Sequence, residues 1–341
     1  MKVLSTTRDI TSYIKSFAIS VVLINHYINI YVSDNYQWYA NGVIALFFVL
    51  SGYGIFHSLQ DKFNEGLNGI SLRAVLGFYY SRALRIFPLY WIFLLLYAYV
   101  NSEIPPIGVF FGYPLQLAPG VGWFVTLLIQ CYILAPFLYL LFRRVGTYRY
   151  LAIIIILLLL TYTVSLYNTP PYIGVLAYRH FFLGHVFLFA LGIVLPSLVE
   201  GNRHKLGNTF LALLSFALFL VMVHYTRPYL SLSEYIAPIF ILSAFAFCLF
   251  TISRNPKLPF AKILIFMGTY TYSIFLFHVF FYQALGEVGL VNYGDPKSII
   301  FMLLLLPVFI LICAVIEKYI NKVVYKLSNW VQQRYNIRRG Y

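Results

Sequence analysis

Long apolar runs constrain this chain more than any other feature. Segments such as LAIIIILLLL (151–160) and FMLLLLPVFILICAVI (301–316) hold no charged residue. A helix needs about 20 such residues to cross a hydrocarbon core about 30 Å thick. Within that core every backbone N–H and C=O must be bonded internally, which a helix achieves on its own. Ten runs of this kind follow one another, at about 12–32, 41–59, 78–100, 120–142, 149–167, 179–199, 207–224, 235–253, 262–285 and 298–320. Only 10% of the 341 residues are charged, against about a quarter in soluble domains. The expected fold class is therefore all-α: a polytopic membrane helix bundle of about ten transmembrane helices. The connectors are short, so 1–341 reads as a single integral-membrane domain, with spans over about 12–320 and a short tail at 321–341.

The formal charge of +14 does not indicate a nucleic-acid partner, because the basic residues are scattered between apolar runs and no compact basic domain exists. They report topology instead. With the N-terminus in the cytoplasm, twenty of the 24 lysines and arginines fall in inside segments. Only Arg179, Arg227 and Lys297 fall outside, and Lys15 lies within the first span. Both termini are accordingly expected to be cytoplasmic, in a multi-pass protein of the cell membrane. Cys131, Cys248 and Cys313 all lie in apolar segments, without disulfide or metal-ligand spacing. The first run is long, carries Lys15 and lacks a small-x-small cleavage site, so it is not expected to be a cleaved signal peptide.

Against this apolar background a few polar residues stand out, since ionisable groups at membrane depth are costly and usually face a protein interior or a wet cavity. Lys15 and His26 are eleven positions apart, close to three whole turns, so they share a face about 16 Å apart along the axis. Lys15 also suits a snorkelling boundary residue, and His26 a histidine bonded inside the bundle. Asn29 lies near the His26 face, and Asn25 adds polarity beside it. In SRALRIFPLYW, Arg82 and Arg85 are at i and i+3 on one helix face. Two guanidiniums there suit a phosphate or pyrophosphate, or ordinary positive-inside anchoring. Trp123 and Gln130 lie on the fourth run, His180 and His185 on the sixth, and Tyr272, Ser273 and His278 on the ninth. His278 and His26 fall at similar depth. His57 and Asp61 form an H-x-x-x-D spacing, but at a span end and without a following glycine.

Taken in order, these stretches resemble the integral-membrane acyltransferase-3 family of bacterial surface-polysaccharide and peptidoglycan O-acetyltransferases. The resemblance covers about 8–320. It rests on Lys15 and His26 in the first span, FFVLSG from Phe47 to Gly52 with Ser51, the R-x-x-R of Arg82 and Arg85, and YSIFLFH ending at His278. Two positions depart from the family pattern. Many members carry aspartate where Ser12 and Ala45 stand here.

The resemblance implies transfer of an acyl group, most simply acetyl, from cytoplasmic acyl-CoA to a hydroxyl of an extracytoplasmic surface glycan or lipid-linked sugar. It implies that His26 is the general base or a transient acyl carrier, that Lys15 orients the donor, and that Arg82 and Arg85 hold its phosphates. His278, Gln130, Trp123, Ser51, Tyr272 and Asn29 are expected to support the substrates. No permanently bound cofactor and no metal is expected; acetyl-CoA is a donor substrate. The expected partners are that donor, the acceptor glycan, membrane lipids and other proteins of polysaccharide biosynthesis. Two other classes use the same buried polar residues: a transporter or flippase of a lipid-linked sugar or small solute, and a non-catalytic subunit of a polysaccharide-export complex.

Overall fold

The computed structural model describes residues 7–32, 38–63, 71–113, 116, 118–166, 185–199, 261–295 and 297–334. Every regular element among them is helical. In chain order these are α1 (Thr7–Tyr31), α2 (Trp38–Lys62), α3 (Leu72–Asn101), α4 (Gly122–Val145), α5 (Thr147–Leu166), α6 (Val186–Val199), α7 (Ala261–Thr269), α8 (Thr271–Glu287) and α9 (Ser298–Arg334). A 3-10 turn at Ile107–Phe111 lies between α3 and α4. Seven of the ten expected spans fall on helix, one of them broken in two, and an eighth, 179–199, is described only from residue 185 and is helical there. Those at 207–224 and 235–253 lie outside the described residues.

Among the described residues, three helices are long and apolar enough to cross a membrane: Leu72–Asn101, Gly122–Val145 and Ser298–Trp330. The pair α7–α8 makes a fourth if counted as one bent span. Local chemistry sets several ends. Ser71, in extended geometry, accepts from the Ala74 N–H at 3.1 Å and starts α3, satisfying one of the orphan donors of a first turn. α4 stops at Gly146, whose φ of 79° suits a residue without a Cβ, and Arg143 and Arg144 in its last turn complement the negative helix end.

The segment 262–285 reads in sequence as one uninterrupted span. It is instead two helices meeting at 78°. Threonine hydroxyls occupy carbonyls freed near the break: Thr271 Oγ1 donates to Met267 O and Gly268 O, both at 3.0 Å, and Thr269 Oγ1 donates to Ile265 O at 2.7 Å. Broken helices are tolerated at membrane depth where the backbone is re-satisfied and faces protein or a cavity.

Small residues bring the helices together. A Cβ at Gly52 on α2 would overlap the Phe189 carbonyl on α6, and one at Gly192 would overlap the Val49 carbonyl. Gly268 on α7 lies against the backbone of Ser12 on α1. Backbones in contact give the van der Waals packing that joins helices where no hydrophobic driving force separates helix from lipid. α1 packs against α2, α7 and α8, and α8 in turn packs against α3 and α9. These contacts position the site.

Candidate active site

Five of the residues singled out in the sequence meet around one cavity of about 200 Å³. Lys15 from α1, Ser51 from α2, Arg82 and Arg85 from α3, and Tyr272 from α8 all line it. The two arginines are held differently. Arg82 donates from Nη2 to Ser58 Oγ at 2.7 Å, and its guanidinium lies over the rings of Phe78 and Tyr132 at 5.4 and 5.8 Å. A guanidinium so placed gains from the ring faces while keeping other N–H groups for a ligand. Arg85 is exposed. The Tyr272 hydroxyl donates to Ile86 O at 3.0 Å, tying α8 to α3 at the cavity wall.

A sixth polar wall residue, Glu317 on α9, was not singled out in the sequence. Its carboxylate accepts from Ser273 Oγ at 2.7 Å and from the Ser273 N–H at 3.3 Å, just past the start of α8. Arg85 and Lys15 are the cations whose charge acts on it. Glu317 thus satisfies an orphan donor of the first turn of α8 and balances charge in the wall. The sequence did carry a signal for it. Of ten acidic residues it is the one inside any of the ten expected spans, but Lys318 beside it makes it resemble a boundary charge.

His26 and His278 do not line the cavity. They lie next to it and touch each other, with ring centroids 4.8 Å apart and planes at 64°. His278 is fully buried, and its Nδ1 is 2.7 Å from Phe275 O. A carbonyl only accepts, so Nδ1 carries the proton and Nε2 keeps a lone pair. Nε2 has no hydrogen-bond partner. Comparable depth on two helices has become direct contact.

Three rings of the cavity wall pack on one another, and one of them reaches the histidines. Phe47, Phe124 and Phe275 all line the cavity. Their centroids are 5.9 Å (Phe47–Phe124), 6.2 Å (Phe47–Phe275) and 4.9 Å (Phe124–Phe275) apart. Phe275 also touches His278, at 5.8 Å.

The remaining candidates fall elsewhere. Asn29 Nδ2 donates to Asn25 Oδ1 at 3.0 Å, about one turn beyond His26. Gln130 is buried on α4 but does not line the cavity. Trp123 packs near His185, at 6.3 Å, and His185 lies 5.0 Å from Phe48. His57 sits among Tyr53 and Phe56, and neither it nor the exposed Asp61 reaches the wall. Cys131 and Cys313 are buried. His180 and Cys248 lie outside the described residues. Among the described residues no three His, Cys, Asp or Glu side chains gather as metal ligands.

A cavity with a cationic wall, next to a paired imidazole with an open lone pair, suits activated acyl transfer. The acyltransferase-3 family model, described as an acyltransferase domain, matches residues 11–318. The chain belongs to the acyltransferase-3 family. No curated protein and no solved structure matches it. The matched region of this acyltransferase takes in every cavity-lining residue and both paired histidines. With its apolar helices, the match makes the chain a membrane acyltransferase.

Proposed function

We propose that this protein transfers an acetyl group from cytoplasmic acetyl-CoA to a hydroxyl of a surface glycan or lipid-linked sugar beyond the membrane. One observation carries this reading: Lys15, Arg82 and Arg85 converge on one cavity, and His26 and His278 pair beside it. A cavity of about 200 Å³ takes the thioester arm of such a donor and leaves its nucleotide end outside. Arg82 and Arg85 bind phosphate oxygens, for which the guanidinium fork is suited. Lys15 orients the arm. In the transfer step the acceptor oxygen attacks the thioester carbonyl. The new C–O bond forms, the C–S bond breaks, and His26 takes the hydroxyl proton and passes it to the departing thiolate. His278, its Nδ1–H held by Phe275 O, packs against the His26 ring and holds it beside the cavity.

With the Lys15 end of the bundle at the cytoplasm, donor and acceptor enter from opposite faces. Only the small acyl group then has to cross, while the charged coenzyme stays on its own side.

The test is acetyl transfer from labelled acetyl-CoA by the purified protein in detergent, alongside mass spectrometry of surface glycans. His26→Ala is expected to lower transfer at least about a hundredfold with unchanged expression. Full transfer by that variant would overturn the role of His26. Solute transport in proteoliposomes without donor, with no thioester turnover, would overturn the reaction class.

A further inference from the structure

The three-ring wall has a position that suggests a use. Along α1, Lys15 precedes His26 by about 16 Å. Along α8, Thr271 and Tyr272 line the cavity, Phe275 follows about one turn later, and His278 about one turn after that. Phe47 is the wall residue of α2 farthest in sequence from Gly54, and Phe124 that of α4 farthest from Tyr132. All three rings therefore close the end of the cavity nearest the histidines, while Lys15, the arginines and Glu317 supply its polar part. Phe275 alone among them touches His278 as well.

We propose that Phe47, Phe124 and Phe275 set acyl-chain length: they form the end wall against which a short acyl group stops, next to the imidazole pair. This rests on the acetyl-CoA reading above and gives its preference for a short acyl group a physical cause. The physical basis is packing. The rings meet at normal edge and tilted distances, and Phe124 also packs on Phe48 at 5.0 Å. Opening this wall for a longer chain requires several buried aromatics to move together, and close-packed interiors resist such displacement. An acetyl group presents its carbonyl at the wall without moving them. A hexanoyl group does not fit unless the rings part or the carbonyl retreats, and a retreat of about 1 Å from the reactive geometry costs about a hundredfold in rate.

The proposal is tested by the ratio of kcat/KM for hexanoyl-CoA to that for acetyl-CoA, with butyryl-CoA between them. A ratio cancels any general loss of activity. Phe47→Ala and Phe275→Ala are expected to raise it at least about tenfold, in line with the discrimination an apolar pocket achieves per methylene. Phe124→Leu should raise it less. Phe48→Leu serves as the control, because Phe48 packs on the same cluster but does not line the cavity; its ratio should match the wild type. If Phe275→Ala cannot be recovered as a monodisperse protein, Phe275→Leu replaces it with the same expected direction. An unchanged ratio in the Phe47 and Phe275 variants, or an equal rise in Phe48→Leu, would overturn the assignment. Wild-type protein that turns over no acyl-CoA of any length would overturn the donor reading itself, a result distinct from a wild type that is active without length discrimination.

Discussion

Glu317 shows how much one residue can carry in a chain with so few acids. Its carboxylate accepts from two donors of Ser273 and shares the cavity wall with Lys15 and Arg85, on helices that are distant in sequence. A carboxylate in this position combines two effects that substitution can separate. Glu317→Ala removes an acceptor from a buried hydroxyl and a first-turn N–H, so about 1.5–3 kcal/mol of stability should be lost, read as a lower Tm in detergent. Glu317→Gln retains an oxygen acceptor for Ser273 but leaves Lys15 and Arg85 without their counter-charge. Its Tm should fall less than that of Glu317→Ala, while acetyl transfer drops about tenfold or more and Glu317→Asp restores part of it. Equal Tm losses with full activity in Glu317→Gln would reduce the residue to a helix cap. At this scale the sequence singled out Lys15, Arg82, Arg85, Ser51 and Tyr272, which line the cavity, along with Gln130, Trp123 and Asn29, which do not. It did so because a charge or a motif residue in an apolar run is a local anomaly. Glu317 was masked by the lysine that follows it. Phe124 was masked by company, for the chain has 32 phenylalanines, and Phe47 and Phe275 entered only within the FFVLSG and YSIFLFH motifs.

At the scale of elements, close helix contacts decide where these residues go. Gly268 lets α7 lie directly on α1 at Ser12. A Cβ at Gly268 has backbone rather than a movable side chain in its way. Gly268→Ala should therefore cost about 1–3 kcal/mol through overpacking and lower acetyl transfer by shifting α1, which carries Lys15 and His26. Gly77→Ala is the matched comparison. Gly77 is in α3 with nothing within 4 Å of an added Cβ, so alanine's better helix propensity should leave Tm unchanged or raised. Thermal unfolding of the two variants side by side checks both. The break between α7 and α8 also belongs to this scale. A hydropathy window sees one continuous apolar run over 262–285, because Thr269 and Thr271 barely lower its mean. Only the hydrogen bonds of those threonines and of Glu317 reveal two helix ends there.

For the whole molecule, the pattern of exposure fits a lipid surroundings. α9 presents Leu303, Leu304, Val308, Leu311, Ile312 and Val315 on its outside, a stripe that water would not favour. Beyond it the helix continues to Arg334, carrying exposed Lys318, Lys322 and Lys326. The proposed topology puts this basic extension in the cytoplasm and the loop after α3 outside. In a protein lacking native cysteines, Ile104→Cys should react with a membrane-impermeant maleimide on intact cells, whereas Leu327→Cys should react only after permeabilisation. The opposite pattern would invert the orientation and place the cationic cavity on the wrong side for a cytoplasmic donor. By itself the sequence determined that this is a membrane protein helical over its described residues, roughly where those helices run, and which polar residues are out of place. Those properties follow from run length and local chemistry, which a linear reading retains. The tertiary structure alone decided that His26 meets His278, that Glu317 joins Lys15 and Arg85 in one cavity wall, and that Phe47, Phe124 and Phe275 pack together there. Such contacts depend on how far each helix is rotated and how closely its neighbours approach. That rotation and approach are set by small residues such as Gly268 and Gly52, whose effect is felt on another helix rather than along their own.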